Sequence, residues 1–393
     1  MAKSAMNRNS LMLVLGSLSV ISLTSLLFVS YTIKIRDLTQ IDDMLIETEY
    51  IQHSEAKTST KGAVHIGKRL AAASLKPKVQ PKAKIENKNK TNRSGSFKYL
   101  IYQCDRSRLC GGWGDRQRSV VSTYMLAQIT NRTFGLNVTS PCDIRELYVP
   151  NKVNWVIDPA QLKGLSTETV IGMDNNFSPK NFHRLHTSDV IYLRTNRDLF
   201  YLIRQNKEYS KMMPKWAKGK GRAQAFRNGW GILMKHQGHL QNRIETFLRK
   251  IPKGDLICAH IRIGRTKRSK DSLVFNKMSD VYMIWEFLDR YVNNASKIFI
   301  ASDSEEVRRM ARARYKVKEV DTGGTVVHVD RERNARTACE GLELAILDQT
   351  VLGTCKVLLM SQSNFGQRAA MLGGLYDNLF MWHKGTITKY VLS

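Results

Sequence analysis

Three stretches of this chain concentrate residues whose types and spacing suit the binding of a polyanion. The first is Cys258-Ala259-His260-Ile261-Arg262-Ile263-Gly264-Arg265-Thr266. Alternate side chains of a strand share a face, so His260 and Arg262 point the same way near the strand's carboxyl end. A planar guanidinium there can grip two phosphate oxygens and offset charge on a departing phosphate. The same string also fits a solvated arginine and a satisfied core histidine. The second is Cys110-Gly111-Gly112-Trp113-Gly114-Asp115-Arg116-Gln117-Arg118. Its glycines admit close approach of an anion to the backbone, a following helix offers free N–H groups, and Arg116 and Arg118 add charge. It matches neither the dinucleotide nor the P-loop spacing, and a sterically required turn reads equally well. The third pairs Ala301-Ser302-Asp303 with Met360-Ser361-Gln362-Ser363-Asn364-Phe365-Gly366. Ser361, Ser363 and Asn364 suit phosphate or ribose, or ordinary helix capping, and Asp348 suits a base, a ribose or solvent.

These residues need strands and helices to hold them, and the hydrophobic pattern supplies both. Strands are expected at Phe97–Tyr102, Val153–Ile157, Thr169–Met173 and Val190–Leu193. Helices are expected at Ser119–Ile129 and over the apolar stripe Leu240, Ile244, Phe247, Leu248, Ile251. A second series follows, with strands at Leu256–Ile263, Ile298–Ala301, Val326–Val329 and Val357–Met360. Its helices are Asp280–Val292, Glu305–Tyr315, Glu340–Leu352 and Gln367–Leu375. Such alternation implies an α/β class with parallel sheets, here two Rossmann-like halves facing a cleft, 97–250 and 251–393. In open parallel sheets ligands sit beyond the carboxyl ends of the strands, where all three stretches fall.

The chain has 393 residues, and its 62 Lys and Arg against 34 Asp and Glu give a net charge of +28. That surplus calls for an anionic partner without choosing among nucleic acid, membrane surface and phosphorylated substrate. Residues 11–33 carry no charge and are long enough to cross a bilayer core of about 30 Å. A signal peptide would have a shorter apolar stretch and a small-residue cleavage site, so the expectation is a transmembrane anchor behind a cytoplasmic tail, 1–10. Lys and Arg flank the span on both sides, so charge does not orient it. Sequons at Asn89, Asn92, Asn131, Asn137, Asn176 and Asn294, with six cysteines, favour a lumenal body. Residues 34–96 read as a flexible basic stalk; Lys57–Arg93 holds eleven Lys or Arg and one acidic residue. From residue 97 onward, 47 basic residues still face 27 acidic ones, so a basic cleft is expected. No Asp-x-Asp ends a strand and no Cys-x-x-Cys occurs, so no metal site is signalled. Cys104 and Cys110 flank a short loop and suit a pair, whereas Cys258, inside a buried strand, is expected free.

The ordered set of glycine loop and helix, His-x-Arg-x-Gly at 260–264, Ser302-Asp303, Asp348 and Ser361–Gly366 resembles the superfamily of α1,2-, α1,6- and protein O-fucosyltransferases. The resemblance spans most of 97–375, although about 140–250 carries no matching motif. It implies a GT-B-like fold, GDP-fucose as donor, a glycan or glycoprotein acceptor, inversion at the anomeric carbon and no required metal or other cofactor. Together with the apolar span, the sequons and the cysteines, the expectation is a type II Golgi membrane protein that binds no nucleic acid. Carried over by position, Arg262 is the essential diphosphate-binding residue and His260 its neighbour. Gly112, Gly114, Asp115 and Arg116 then face the nucleotide, with Asp303, Asp348, Ser361, Ser363, Asn364 and Phe365 around guanosine and diphosphate. Relatives often carry Asp where this chain has Arg265. That departure leaves Asp271, or Asp303, as a substitute for the base. Two other readings fit the same type II, basic, α/β outline: a Golgi sulfotransferase, against which the loop at 110–118 lacks the usual Lys, and an inactive glycan-binding protein.

Overall fold

The computed structural model describes residues 98–173, 177–252, 255–265 and 275–393. The expected anchor and stalk, Asn89, Asn92, Asn176 and Asp271 lie outside them. Among the described residues no helix is long and apolar enough to cross a membrane.

The first half is built on β1 (Tyr99–Cys104), which leads into α1 (Trp113–Ile129) and then β2 (Thr133–Val138). A short β3 (Tyr148–Pro150) precedes β4 (Thr167–Ile171). Next come α2 (Phe182–Leu185), β5 (Val190–Arg194), and the helices α3 (Phe200–Gln205), α4 (Tyr209–Met212) and α5 (Arg222–Leu233). Strand β6 (Met234–His236) pairs with β3, and α6 (Gly238–Leu248) closes the half. Its main sheet is wholly parallel in the order β2-β1-β5-β4. The second half runs β7 (Leu256–Ile261), α7 (Val281–Asp289), β8 (Lys297–Ser302), α8 (Glu305–Tyr315), β9 (Glu319–Val320) and α9 (Ala335–Leu352). It ends with β10 (Val357–Ser361), α10 (Asn364–Gly373), β11 (Leu379–His383) and β12 (Thr386–Lys389). Its sheet order is β12-β11-β10-β7-β8-β9, parallel throughout except for the β11–β12 hairpin. That hairpin turns on Lys384 and Gly385, both at positive φ, the conformation that matches strand twist in a two-residue turn.

The central strand β7 shows why the second sheet forms. All six of its residues are buried, as a strand covered on both faces requires. Leu256 and Cys258 join the large core that runs into the first half, while Ile257, Ala259 and Ile261 join a separate core. That second core is supplied by Val281, Ile284 and Leu288 of α7 and by Val307 and Ala311 of α8. The first half is covered asymmetrically. Leu100 and Tyr102 face the large core, whereas Tyr99 and Ile101 face a small cluster with Val190, packed by Ile157, Leu162 and Leu165.

Two expected strands are absent. Residues 153–157 form a cover, pinned by Trp155 Nε1 donating to the Leu233 carbonyl and by Ile157 seated against Gly135. Residues 326–329 are irregular, and β9 lies earlier, at Glu319–Val320. Val327 instead fills the space beside Gly341 of α9. Three disulfides are present: Cys104–Cys110, Cys142–Cys339 and Cys258–Cys355. Cys258 is therefore not free. Strands β7 and β10 are register neighbours, and Cys355, just before β10, comes within a Cα separation of 6.0 Å, inside disulfide reach. Burial disfavours thiol reactivity but not a bond to a buried partner.

Cys142–Cys339 spans 197 residues and ties the segment after β2 to α9, whereas Cys104–Cys110 spans 6. A constraint on the unfolded chain grows with the loop it closes. Replacing Cys142 and Cys339 by serine should lower unfolding free energy by about 2–5 kcal/mol, and more than replacing Cys104 and Cys110. Chemical denaturation of the two double variants under oxidising conditions tests the order.

Candidate functional site

Strand order fixes where each half can bind a ligand. In the second half the chain moves from β7 to β8 and β9 on one side, then returns to β10 on the other. The crevice beyond the carboxyl ends of β7 and β10 is therefore a topological switch point. In the first half the reversal lies between β1 and β5. Arg262 follows β7 and Ser363-Asn364-Phe365 follow β10, so these four of the expected residues fall at the second crevice.

The Arg262 backbone is held from three sides. Its N–H donates to Ser361 Oγ at 2.8 Å, and its carbonyl accepts from Asn276 Nδ2 at 2.7 Å. Asp303 accepts from the Ile263 and Gly264 N–H groups, each at 2.8 Å, and its Oδ2 lies 3.3 Å from Arg262 Nε. The guanidinium also lies over the Phe275 ring, 5.2 Å from its centroid, and the side chain stays 22% exposed. Ser361 is fully buried. It positions Arg262 and does not line the crevice, contrary to the expectation of a donor contact. Asp303 likewise is a loop anchor, its two oxygens occupied by two amides and a guanidinium, which removes it as a base. Asn276 and Phe275 were missed in the sequence. Their signal is faint: an aromatic and an amide directly after a highly charged stretch of sequence.

His260 is buried, next to Phe365 with ring centroids 5.1 Å apart, and its Nδ1 has no hydrogen-bond partner. Gly366 leaves room for it; a Cβ there would come 2.9 Å from Nδ1. Burial, with the neighbouring Arg262 charge added, pushes the imidazole down to about 3. His260 is therefore neutral at physiological pH, and the positive charge of the pair resides on Arg262.

The glycine stretch differs from its expected form. Helix α1 starts at Trp113, six residues before the apolar periodicity does, with Gly112 as N-cap. Asp115 Oδ2 accepts from the Gly112 N–H at 3.2 Å, the acidic half of a capping box. Its Oδ1 accepts from Asn364 Nδ2 at 2.8 Å. A Cβ at Gly114 would lie 2.6 Å from the Asn364 carbonyl carbon, so the N-terminus of α1 abuts that of α10 directly. Gln349 completes the contact, accepting from Trp113 Nε1 at 3.1 Å and donating to Gln117 Oε1 and the Phe365 carbonyl. It too was missed, because a glutamine inside an apolar helix gives no spacing signal. Arg116, expected to face the nucleotide, is 1% exposed. It ion-pairs with Asp330 and donates to the Gly111 and Ser140 carbonyls, because a buried guanidinium requires partners. Arg118 pairs with Asp115 at 2.9 Å.

Asp348 sits on α9, where its Oδ1 accepts from Thr322 Oγ1 in the segment after β9. Burial pushes its carboxyl up to about 7, against the lowering effect of Thr322. Asn131, Asn137 and Asn294 are exposed. Among the described residues the one grouping of three metal-ligating side chains is Cys142, Glu146 and Cys339, whose sulfurs are bonded to each other.

The molecule thus has two α/β sheets, parallel but for the β11–β12 hairpin, whose carboxyl ends meet where the first turns of α1 and α10 abut, with Arg262 at the switch point of the second. The fold is shared with a mutant of Arabidopsis thaliana FUT1 in complex with GDP, over 76% of this chain and 73% of that one, with a TM-score of 0.53 and 14% identity. NodZ α-1,6-fucosyltransferase from Bradyrhizobium, soaked with GDP-fucose, aligns over 76% of this chain and 100% of its own, with a TM-score of 0.48 and 16% identity. The sequence matches no family model and no curated protein.

Two expectations follow. Gly114→Ala should destabilise the fold by about 1–3 kcal/mol through overpacking against backbone that cannot yield, seen as a lowered Tm; an unchanged Tm contradicts the abutment. Asp348 has a folded pKa raised above its unfolded value, so the native state holds the proton more tightly between about pH 4 and 7. Stability from this group is full below that window and declines as pH rises through it. Asp348→Asn should flatten that part of a stability–pH profile.

Proposed function

We propose that the chain is a glycosyltransferase that moves fucose from GDP-fucose to a hydroxyl of a glycan or glycoprotein, with inversion and without a required metal. The observation that carries this is the placement of Arg262: a fixed guanidinium at the switch point between β7 and β10, beside the N-terminus of α10. The guanidinium supplies positive potential where a diphosphate would lie. The fold shared with a GDP complex of FUT1 is consistent with that donor.

In this reading the bond between the sugar's anomeric carbon and the GDP oxygen breaks as the acceptor oxygen attacks the opposite face. Arg262 offsets charge growing on GDP, which departs with the bonding electron pair. Because Asp303, Ser361 and Asn276 hold the Arg262 backbone, little reorganisation accompanies that charge build-up. Neutral His260 offers polarity without competing charge. Ser363, Asn364 and Phe365 lie beside the diphosphate and Asp348 on the guanosine side, while Gly112 and Gly114 serve the contact between α1 and α10. Asp271, a few residues after Gly264 in the sequence, is the proposed base that takes the acceptor's proton. Residues 97–250 form the acceptor side and 251–393 the donor side. We further place the chain in the Golgi membrane as a type II protein anchored by residues 11–33, with its catalytic body lumenal. Three disulfides and exposed sequons at Asn131, Asn137 and Asn294 suit an oxidising, glycosylating compartment.

Arg262→Ala should lower kcat by about 10²-fold or more, by analogy with removal of an oxyanion donor, with the fold intact by circular dichroism. Arg262→Lys should recover only part of the loss, since an ammonium cannot make the forked contact. Near-normal turnover of Arg262→Ala on GDP-fucose would sink the assignment.

A further inference from the structure

The exposed positive charge of the folded body is unevenly spread. From residue 199 to residue 244 ten Lys or Arg stand against one acidic residue, Glu208. Arg204, Lys207, Lys211, Lys215 and Lys218 of this stretch are exposed, on α3, on α4 and on the turns beside them. Glu208 lies 3.5 Å from Arg184 of α2, so its charge is already matched from outside the run. Among the described residues none of the five exposed cations has a carboxylate partner. An ordinary solvated face looks different. On α8 the exposed Arg309, Arg312 and Arg314 meet Glu306, Glu305 and Asp289 in turn.

The segment is also held in place. Phe200, Ile203, Tyr209, Met213 and Ala217 enter the large core between the cations. Lys218 Nζ donates to the Lys211 carbonyl at 3.4 Å, and Asn228 Nδ2 donates to the Trp216 carbonyl at 2.9 Å. The charges are thus displayed from anchored backbone, where their mutual repulsion lowers stability unless an anion offsets it.

The surroundings narrow the anion. Insertion into a lipid surface needs apolar side chains beside the cations, and from residue 199 to residue 220 Met212 is the one large hydrophobic residue that is exposed. A single-stranded nucleic acid needs open aromatic faces for its bases. Here Trp216 is stacked on Tyr124 with centroids 5.5 Å apart, Tyr201 has Arg222 over its ring, and Phe200 and Tyr209 are buried. Reading a duplex takes a helix or a two-stranded ribbon that fits the groove, whereas α3 and α4 have six and four residues. A protein partner would need anchors that bury apolar or aromatic surface. What remains is a flexible chain of repeated anionic groups, bound by charge alone.

We infer that this face of the first half is a binding surface for an acidic polysaccharide, whose sulfate or carboxylate groups meet Arg204, Lys207, Lys211, Lys215 and Lys218. It lies outside the transfer chemistry and needs neither donor nor turnover.

The test uses the full-length, detergent-solubilised protein, with heparin as the probe and direct binding as the readout. The quadruple variant Arg204→Gln/Lys207→Gln/Lys211→Gln/Lys215→Gln removes side chains that make no hydrogen bond to the rest of the molecule. A control, Lys76→Gln/Lys78→Gln/Lys82→Gln/Lys84→Gln, removes the same charge from the expected stalk. Thermal unfolding checks both, and Lys207→Gln/Lys211→Gln replaces the quadruple variant if that one is unfolded. At about 150 mM salt the face variant should bind heparin about tenfold or more weakly, and its log Kd–log salt slope should fall by about one unit per lost contact. The control should lose less than about threefold, its charges lying off the face. Equal loss in face variant and control overturns the inference, because net charge alone then accounts for binding. Heparin binding no tighter than that of neutral dextran overturns it too. So does tighter binding of duplex DNA or phosphatidylserine vesicles that the face variant loses, which would assign the surface to those partners instead.

Discussion

The structure depends on one close contact: the first turn of α1 laid directly on the first turn of α10. Each helix end carries a partial positive charge and unsatisfied N–H groups, so two such ends repel unless something negative or dipolar lies between them. Asp115 is that group. It caps Gly112 with one oxygen and accepts from Asn364 with the other. Gly114 makes the approach sterically possible, because its missing Cβ would occupy the Asn364 backbone. Since α1 follows β1 and α10 follows β10, the contact brings the two sheets' carboxyl ends toward a common region. Gln349, reaching Trp113, Gln117 and the Phe365 carbonyl, locks the same junction from α9.

The chain's surplus of basic residues reads differently once positions are known. Arg116, Arg222 and Arg368 are buried and paired, the last two sharing Asp198 at 3.2 and 3.1 Å. Arg132 is buried and donates to backbone carbonyls of His186 and Ser188. Arg308 binds Asp321 and the carbonyls of Gly323 and Gly324. Guanidinium groups with several donors in a planar fork can cross-link loops in this way, and ammonium groups cannot. Net charge therefore called for an anionic partner but located no site. Arg262 differs from these arginines in keeping surface at a crevice while its backbone is anchored.

Much of the second half was legible because local and tertiary preferences agree there. Strand β7 and helix α8 fall where a continuous apolar run and an amphipathic stripe place them. Helix α8 matches the expected bounds Glu305–Tyr315, with the Ser304 hydroxyl oxygen accepting from the Val307 N–H as N-cap. Legibility failed where burial involves polar residues. The first turns of α1 bury Arg116, Gln117, Arg118 and Ser119, so no apolar period marks them. It failed again where an apolar run has no strand to pair with along its length. Residues 153–157 make a cover over a sheet face, and 326–329 supply Val327 to α9 and Val329 to the large core. At the site, residue types fixed by the ends of strands were readable, whereas Ser361, Asp303 and Asn276 act through backbone groups whose partners are decided only by the fold.

That last distinction explains how one arginine can be prominent in sequence yet dependent on residues that are not. A guanidinium on a flexible stem loses rotamer freedom whenever it binds, and the loss is smaller if the stem's base is already fixed. Ser361 and Asn276 fix the Arg262 peptide from both sides, and Asp303 fixes the next two amides while meeting Nε. The Asp303 carboxylate lowers the local positive potential, which by itself weakens anion binding. It also orients the guanidinium plane and binds the N–H of Gly264, which sits at φ +91°. Charge strength is partly exchanged for geometry, and for a group that must meet charge developing in a transition state, geometry is the scarcer quantity.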